Sequence, residues 1–175
     1  AIGIELLALQ DRIEHPEVGG PPYIATLSNP GRSWEGRRLE GEVKRYIVLY
    51  LATLLVFTPI DLLFLGTIAK GFFTSQVGDM LGEIRLAPAI LFYLLFVVGI
   101  LIFVSGSSDA TWQSTLLYGA LFGFFCYATF ELTSLSLLRH WTWPVVMVDV
   151  SWGTFVTAVS STLGLIIADW IASKT

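Results

Sequence analysis

Three acidic side chains lie inside segments that are otherwise apolar, and they are the residues of this sequence best suited to chemistry. Asp61 occurs in VFTPIDLLFLG, Glu131 in YATFELTSL and Asp149 in VVMVDVSW. A carboxylate at the centre of a membrane helix costs about 2.5–3.5 kcal/mol on insertion scales, so such a residue normally faces a protein interior or a polar cavity. Carboxyl groups that meet in a medium of low dielectric share protons. The three acids therefore predict a polar site within a membrane.

The position of each acid within its apolar segment places all three at one depth. With a helical rise of about 1.5 Å per residue, Asp61 lies ~13 Å before the end of the first segment, and Glu131 lies ~10 Å before the end of the third. Asp149 lies ~9 Å after the start of the fourth. The first and third segments end on the side where the fourth begins, so the acids are predicted to share one leaflet.

Small or polar residues share the helical face of each acid, and these faces are expected to pack together because small residues let helices approach closely. The face of Asp61 carries Tyr46, Tyr50, Thr53 and Phe57. The face of Glu131 carries Gly119, Gly123 and Tyr127, and the face of Asp149 carries Gly153, Ser160 and Gly164. Thr133 and Trp152 are predicted to supply hydrogen-bond donors to the acids. Two interpretations stay open. The acids hold the helices together, protonated or paired with Lys70, Arg85 or Arg139, or they bind a proton, a cation or a lipid headgroup.

The elements that must position these acids follow from composition and hydropathy. The chain is 54% hydrophobic and 14% charged, whereas soluble domains carry roughly 25% charged residues. Each apolar segment is long enough to cross a bilayer, which takes roughly 17–25 residues, and in lipid the backbone must be helical. The predicted spans are 46–69, 86–104, 112–138 and 143–171. The fold class is therefore an all-α integral membrane protein, a bundle of four transmembrane helices in residues 44–175.

Residues 1–43 form a separate, polar segment rich in Gly and Pro. Residues 2–13 fit a short amphipathic helix, and the rest is predicted to be an extended arm that binds partner proteins. The residues assigned to that role are Tyr23, Trp34, Arg37 and Arg38. Lys and Arg residues cluster before the first span, and the positive-inside rule then places both termini on the cytoplasm-like side.

Several segments resemble an uncharacterised family of bacterial-type membrane proteins, domain-of-unknown-function family 2177. They are KRYIVLYLATLLVFTPIDLLFLG (44–66), LLYGALFGFFCYATFELTSLSLLRHW (116–141) and DVSWGT (149–154), and the resemblance covers about residues 44–171. It implies a four-helix membrane fold, no established activity, and acidic positions at Asp61, Glu131 and Asp149. The third-span motif of the family is closer to Tyr-Asp-Leu-Thr-Asn, whereas this chain has Phe130-Glu131-Leu132-Thr133-Ser134.

No motif for an enzyme is present, because the chain lacks His-Glu-x-x-His, Gly-x-Ser-x-Gly and a Cys pair. Cys126 is the single cysteine, and no stretch is basic enough for nucleic acid. The favoured function is that of a non-catalytic accessory subunit of a large respiratory or photosynthetic complex, with other membrane subunits and the lipid bilayer as partners. The alternative is a small proton-, cation- or lipid-linked carrier that uses the acids, and acid–base chemistry on a lipid is a third option. Bound lipid is the expected cofactor, a pigment is a further option, and no metal is assigned.

The predicted location is the mitochondrial inner membrane or the thylakoid, with the bacterial inner membrane as the alternative. A first residue other than Met is expected for an organellar protein whose transit peptide has been removed.

Overall fold

The computed structural model describes residues 30–80 and 82–174, and within its first helix it describes the side chains of Gly36 and of residues 38 onward. The chain divides into two compact units, Ala1–Leu39 and Glu40–Thr175. The account of packing below concerns the second unit.

Five α-helices make up most of the described chain. They are α1 (Pro30–Phe64), α2 (Lys70–Val77), α3 (Leu86–Ile100), α4 (Trp112–Leu137) and α5 (Trp143–Ala172). A π-helical turn, Leu65–Ala69, joins α1 to α2, a short 3₁₀ turn, Gly78–Met80, follows α2, and a second π-helical turn, Leu101–Ser105, extends α3. No strand occurs among the described residues. The four helical segments long and apolar enough to span a membrane are Arg38–Met80, Leu86–Ser105, Trp112–Leu137 and Trp143–Ala172. The predicted all-α fold with four spans is confirmed.

The first helix differs from the prediction at both of its ends. It begins at Pro30, so residues 30–43 are helical where an extended arm was predicted. Proline suits the first turn of a helix, and Glu40 and Lys44 have the favourable i, i+4 spacing. The Leu, Glu and Arg residues of this stretch outweigh its three glycines. At the other end the helical segment continues past Ala69 to Met80. The helix predicted at residues 2–13 lies outside the described part of the chain.

The helices pack through small residues, as the sequence predicted. A Cβ atom added at Gly123 would collide with the carbonyl oxygen of Gly153, and one added at Gly119 would collide with the hydroxyl of Ser161. A Cβ added at Gly164 of α5 would collide with Thr53 of α1. Helix α5 therefore lies in close contact with both α4 and α1.

Hydrogen bonds join the first span to the connections between the other spans at the two ends of the bundle. At one end the guanidinium of Arg45 donates to the carbonyl oxygens of Gly106 (3.1 Å) and Ser107 (3.0 Å). At the other end Thr142 donates to the side-chain oxygen of Gln76 at 3.1 Å. Successive spans therefore run in opposite directions.

Candidate functional site

Asp61 is buried between α1, α3 and α5. Its side chain is 4% exposed, and each carboxylate oxygen accepts one hydrogen bond. The hydroxyl of Tyr93 donates to Oδ2 at 2.8 Å, and the indole N–H of Trp152 donates to Oδ1 at 2.8 Å. The ring of Phe64 stacks on Trp152 with 3.9 Å between ring centroids. Both donors are neutral, so they orient the carboxylate without cancelling a charge on it.

Glu131 is completely buried on α4, with 0% of its surface exposed. The indole N–H of Trp141 donates to Oε2 at 2.7 Å. Trp141 lies in the short connection between α4 and α5, which folds back over the end of α4. The other oxygen, Oε1, is buried and accepts no hydrogen bond from any donor group of the described chain. A buried carboxyl oxygen without a donor is costly, so what lies next to Oε1 decides the chemistry of this site.

The carboxyl group of Asp149 on α5 lies next to Glu131. The two carboxyl groups interact with each other, and Asp149 also interacts electrostatically with Asp61. Tyr127 on α4 lies within electrostatic range of both Asp61 and Asp149. The structure therefore brings together three acids from three helices, and we call Asp61, Glu131 and Asp149 the carboxyl cluster.

Basic side chains do not neutralise the carboxyl cluster within the described part of the chain. Lys70, Arg85 and Arg139, which the sequence offered as counter-charges, are exposed, and none of them forms an ion pair with the three acids. The donors at the cluster are one phenol and two indoles. The described residues also contain no group of three His, Cys, Asp or Glu side chains arranged to hold a metal ion.

The other residues assigned to the site from the sequence have mixed outcomes. Trp152 contacts Asp61, as described above. Thr133 does not join the cluster, because its side chain is exposed and its hydroxyl donates to the carbonyl oxygen of Thr129 at 2.6 Å. Two residues along a helix turn the side chain by roughly 200°, so Thr133 lies on the face opposite Glu131.

The proposed partner-binding residues of the N-terminal segment fall mostly outside the described chain. Tyr23 and the side chains of Trp34 and Arg37 are not among the described residues. The side chain of Arg38 is exposed. Their role in binding partners stays a prediction.

Sequence reasoning missed two donors of the cluster, Tyr93 and Trp141. Tyr93 is the one hydroxyl-bearing residue in the stretch 86–104, and that was a usable signal, because a lone hydroxyl in a hydrocarbon segment needs a partner. Trp141 carried no such signal, since a Trp at the end of a span is typical of the membrane interface.

Two further contacts hold the connection that carries Trp141. The ring Nδ1 of His140 lies 2.6 Å from the carboxylate of Asp79, and Thr142 bonds Gln76. Both partners belong to the part of the first span that continues beyond Ala69. This continuation, absent from the predicted spans, therefore anchors the residues on either side of Trp141.

The fold and this site define an integral membrane protein with four spans and a buried carboxyl cluster. The chain matches the family model described as "Predicted membrane protein (DUF2177)" over residues 46–166. Because the match covers more than half of the chain, the protein belongs to this family of predicted membrane proteins. No curated protein and no solved structure matches the chain.

Proposed function

We propose that the protein binds and exchanges protons at the carboxyl cluster, and that it acts as a small proton-linked membrane protein. The contact between Glu131 and Asp149 carries this proposal. Two ionised carboxylates repel each other, and the repulsion is strong where the surroundings are poorly polarisable. A hydrogen bond between two carboxyl groups requires a proton on one of them. That proton also gives Oε1 of Glu131 the donor that it otherwise lacks.

The remaining contacts support exchange rather than permanent neutrality. Asp61 accepts hydrogen bonds from Tyr93 and Trp152, and donors of this kind stabilise an ionised acceptor. One cluster therefore stabilises both an ionised carboxyl group, at Asp61, and a protonated one, at Glu131 and Asp149. Ionisable residues with this placement mark proton relays in many membrane proteins.

The direct test measures proton flux into vesicles that contain the purified protein and an enclosed pH-sensitive dye. Glu131→Gln keeps the shape of the side chain but cannot exchange a proton, so we expect flux to fall at least about tenfold, as for removal of a proton-transferring group. Asp109→Asn is the matched control, because Asp109 is exposed and lies in the turn before α4, away from the cluster. Flux in Glu131→Gln equal to that of the unchanged protein would contradict the proposal.

Infrared spectroscopy tests the bound proton without any assumption about transport. A protonated carboxyl group has a C=O stretching band distinct from that of a carboxylate. We expect this band at neutral pH in the unchanged protein, its loss in Glu131→Gln, and its retention in Asp109→Asn. The same band in all three proteins would show that the proton is not at this pair.

A second candidate function is that of an accessory subunit of a larger membrane complex. The length of the first span favours it. That helical segment has 43 residues, or roughly 65 Å at the usual rise, whereas the hydrocarbon core is ~30 Å thick. The part outside the hydrocarbon offers a surface to neighbouring proteins. Purification in a mild detergent tests this role: we expect a large assembly, and a monodisperse monomer from native membranes would argue against it.

The location that fits this second role is the mitochondrial inner membrane or the thylakoid, with a bacterial inner membrane as the alternative. Both ends of the chain are proposed to face the matrix-, stroma- or cytoplasm-like side, where the positive-inside rule places Lys44 and Arg45.

A further inference from the structure

A partly buried guanidinium lies at the end of the bundle opposite the connection that carries Trp141. Arg45 donates from Nη1 to the carbonyl oxygen of Gly106 at 3.1 Å and from Nη2 to that of Ser107 at 3.0 Å. Among the described residues no acidic side chain forms an ion pair with Arg45. The carbonyl groups orient the guanidinium, but they leave it with its full positive charge. The position therefore attracts an anion.

An apolar groove of about 380 Å³ begins beside this guanidinium. Its lining consists of Tyr46, Val98, Leu101, Ile102, Gly106 and Ser107. The groove opens toward the bilayer, since Ile102 is 68% exposed. Val98 and Ile102 are four residues apart and so lie one above the other along the span, as a stripe that leads away from Arg45 into the hydrocarbon.

Gly106 shapes the end of this groove. Its N–H donates to the carbonyl oxygen of Leu101 at 2.8 Å and closes the π-helical turn. A Cβ atom at this position would collide with that same oxygen and would press on the ring of Tyr46. The glycine therefore allows the chain to turn tightly under Arg45, and it leaves the space between α1 and the π-helical turn open.

We propose that Arg45 and this groove bind an anionic phospholipid, with the phosphate at the guanidinium and one acyl chain along Val98 and Ile102. A guanidinium has five N–H donors, and its flat geometry matches phosphate oxygens. The contacts to Gly106 and Ser107 leave the remaining donors of Arg45 for a ligand. The hydroxyl of Ser107 accepts from the backbone N–H of Asp109 at 3.3 Å, so its own hydrogen points elsewhere and adds another donor.

A lipid satisfies both halves of this site, whereas a free phosphate satisfies one. The guanidinium selects the negative headgroup, and the groove takes up an acyl chain that the bilayer supplies at this depth. Asp109, the acidic side chain nearest in sequence to Ser107, is exposed to solvent and forms no ion pair with Arg45. This proposal is independent of proton exchange, because the lipid site lies toward the opposite end of the bundle from the carboxyl cluster.

Native mass spectrometry of the full chain in detergent tests the headgroup. The probes are phosphatidylglycerol and phosphatidylcholine with identical acyl chains. We expect the unchanged protein to prefer phosphatidylglycerol, and Arg45→Gln to lower its affinity for that lipid about tenfold, as for loss of a charge-assisted hydrogen bond. Lys44→Gln is the matched control, because Lys44 is the exposed residue next to Arg45 and its replacement changes the charge by the same amount. No preference in the unchanged protein, or an equal loss in both variants, would overturn the proposal.

A second variant tests the groove while keeping Arg45 and its carbonyl contacts, so it remains informative if Arg45→Gln fails to fold. Ile102→Trp fills the groove, and we expect it to weaken binding of both lipids. Phe103→Trp, at the next and 70% exposed position, is the control and should bind both lipids like the unchanged protein. Binding by Ile102→Trp equal to that of the unchanged protein would overturn the proposal. Displacement of the lipid by excess inorganic phosphate would also overturn it, because the site would then be a plain anion site.

Discussion

At the scale of single residues, the acids of the carboxyl cluster accept hydrogen bonds from neutral donors. The phenol of Tyr93 and the indoles of Trp141 and Trp152 each donate to one carboxylate oxygen at 2.7–2.8 Å. Neutral donors hold a carboxyl group in place whether or not it carries a proton. A Lys or Arg partner in the same position would keep the acid ionised. The absence of such a partner from the described chain leaves the charge of the cluster free to change.

Tyr93→Phe tests one of these donors at little cost in packing. The variant removes a single hydroxyl and leaves Oδ2 of the buried Asp61 without a partner. We expect the free energy of unfolding to fall by about 1–3 kcal/mol, as for an unsatisfied buried polar group. Thermal unfolding in detergent measures the change. Tyr118→Phe is the control because Tyr118 is 54% exposed. An equal effect in both variants would mean that the hydrogen bond from Tyr93 to Asp61 does not stabilise the fold.

His140 and Trp141, neighbours in the connection between α4 and α5, are predicted to contribute very differently to the free energy of unfolding. His140 and Asp79 form an exposed pair, with 57% and 60% of their side-chain surfaces accessible, and exposed pairs contribute about 0–1 kcal/mol. Trp141→Phe removes the donor to buried Glu131, for which we expect a loss of about 1–3 kcal/mol. His140→Ala should therefore shift the thermal unfolding midpoint less than Trp141→Phe, and the reverse order would mean that the indole N–H of Trp141 is not needed to stabilise the fold.

At the scale of helices, the site depends on how closely α5 approaches α4 and α1. Gly123 and Gly153 let α4 and α5 approach so closely that a backbone carbonyl lies where a side chain would begin. Glu131 lies about two turns after Gly123 and Asp149 about one turn before Gly153, so this approach brings the two acids close to each other. Pro59, inside α1, lies half a turn before Asp61 and cannot donate the helical hydrogen bond to the carbonyl of Leu55.

Gly123→Ala tests this close approach. The added methyl group would collide with the carbonyl oxygen of Gly153 and with Thr157, so the helices must separate. We expect a loss of about 1–3 kcal/mol in the free energy of unfolding, typical of overpacking, together with loss of the infrared band assigned to the shared proton. Gly66→Ala is the control, because nothing lies within 4 Å of a Cβ at Gly66. An intact band in Gly123→Ala would separate helix packing from the chemistry of the cluster.

At the scale of the whole molecule, four antiparallel spans give the membrane domain two distinct ends. Arg45 and the turn before α4 form one end, and the continuation of the first span meets the connection between α4 and α5 at the other. Trp141, which donates to Glu131 of the carboxyl cluster, belongs to the second end. Arg45, at the proposed lipid site, belongs to the first.

Labelling of single cysteines measures which end faces which compartment. In a background with Cys126 replaced by Ala, Ser108→Cys and Glu83→Cys each place one thiol in an exposed connection. We expect a membrane-impermeant reagent to label Ser108→Cys from the cytoplasm-like side and Glu83→Cys from the opposite side, because Lys and Arg residues near short loops set orientation. Labelling of both from one side would contradict the four-span topology.

The sequence by itself determined the all-helical fold and the number of spans, and it predicted a common depth and an inward face for Asp61, Glu131 and Asp149. These features depend on the thickness of the hydrocarbon core and on helical periodicity, which act along one chain segment at a time. Only the tertiary structure decided that Tyr93 and Trp141 donate to the acids, and that Arg45 lies beside a groove. These contacts depend on how each helix is rotated against its neighbours. They also depend on the first helical segment, which continues to Met80. A side chain's partner across a helix interface is set by that rotation and by close approach at a few glycines, which no single segment specifies alone.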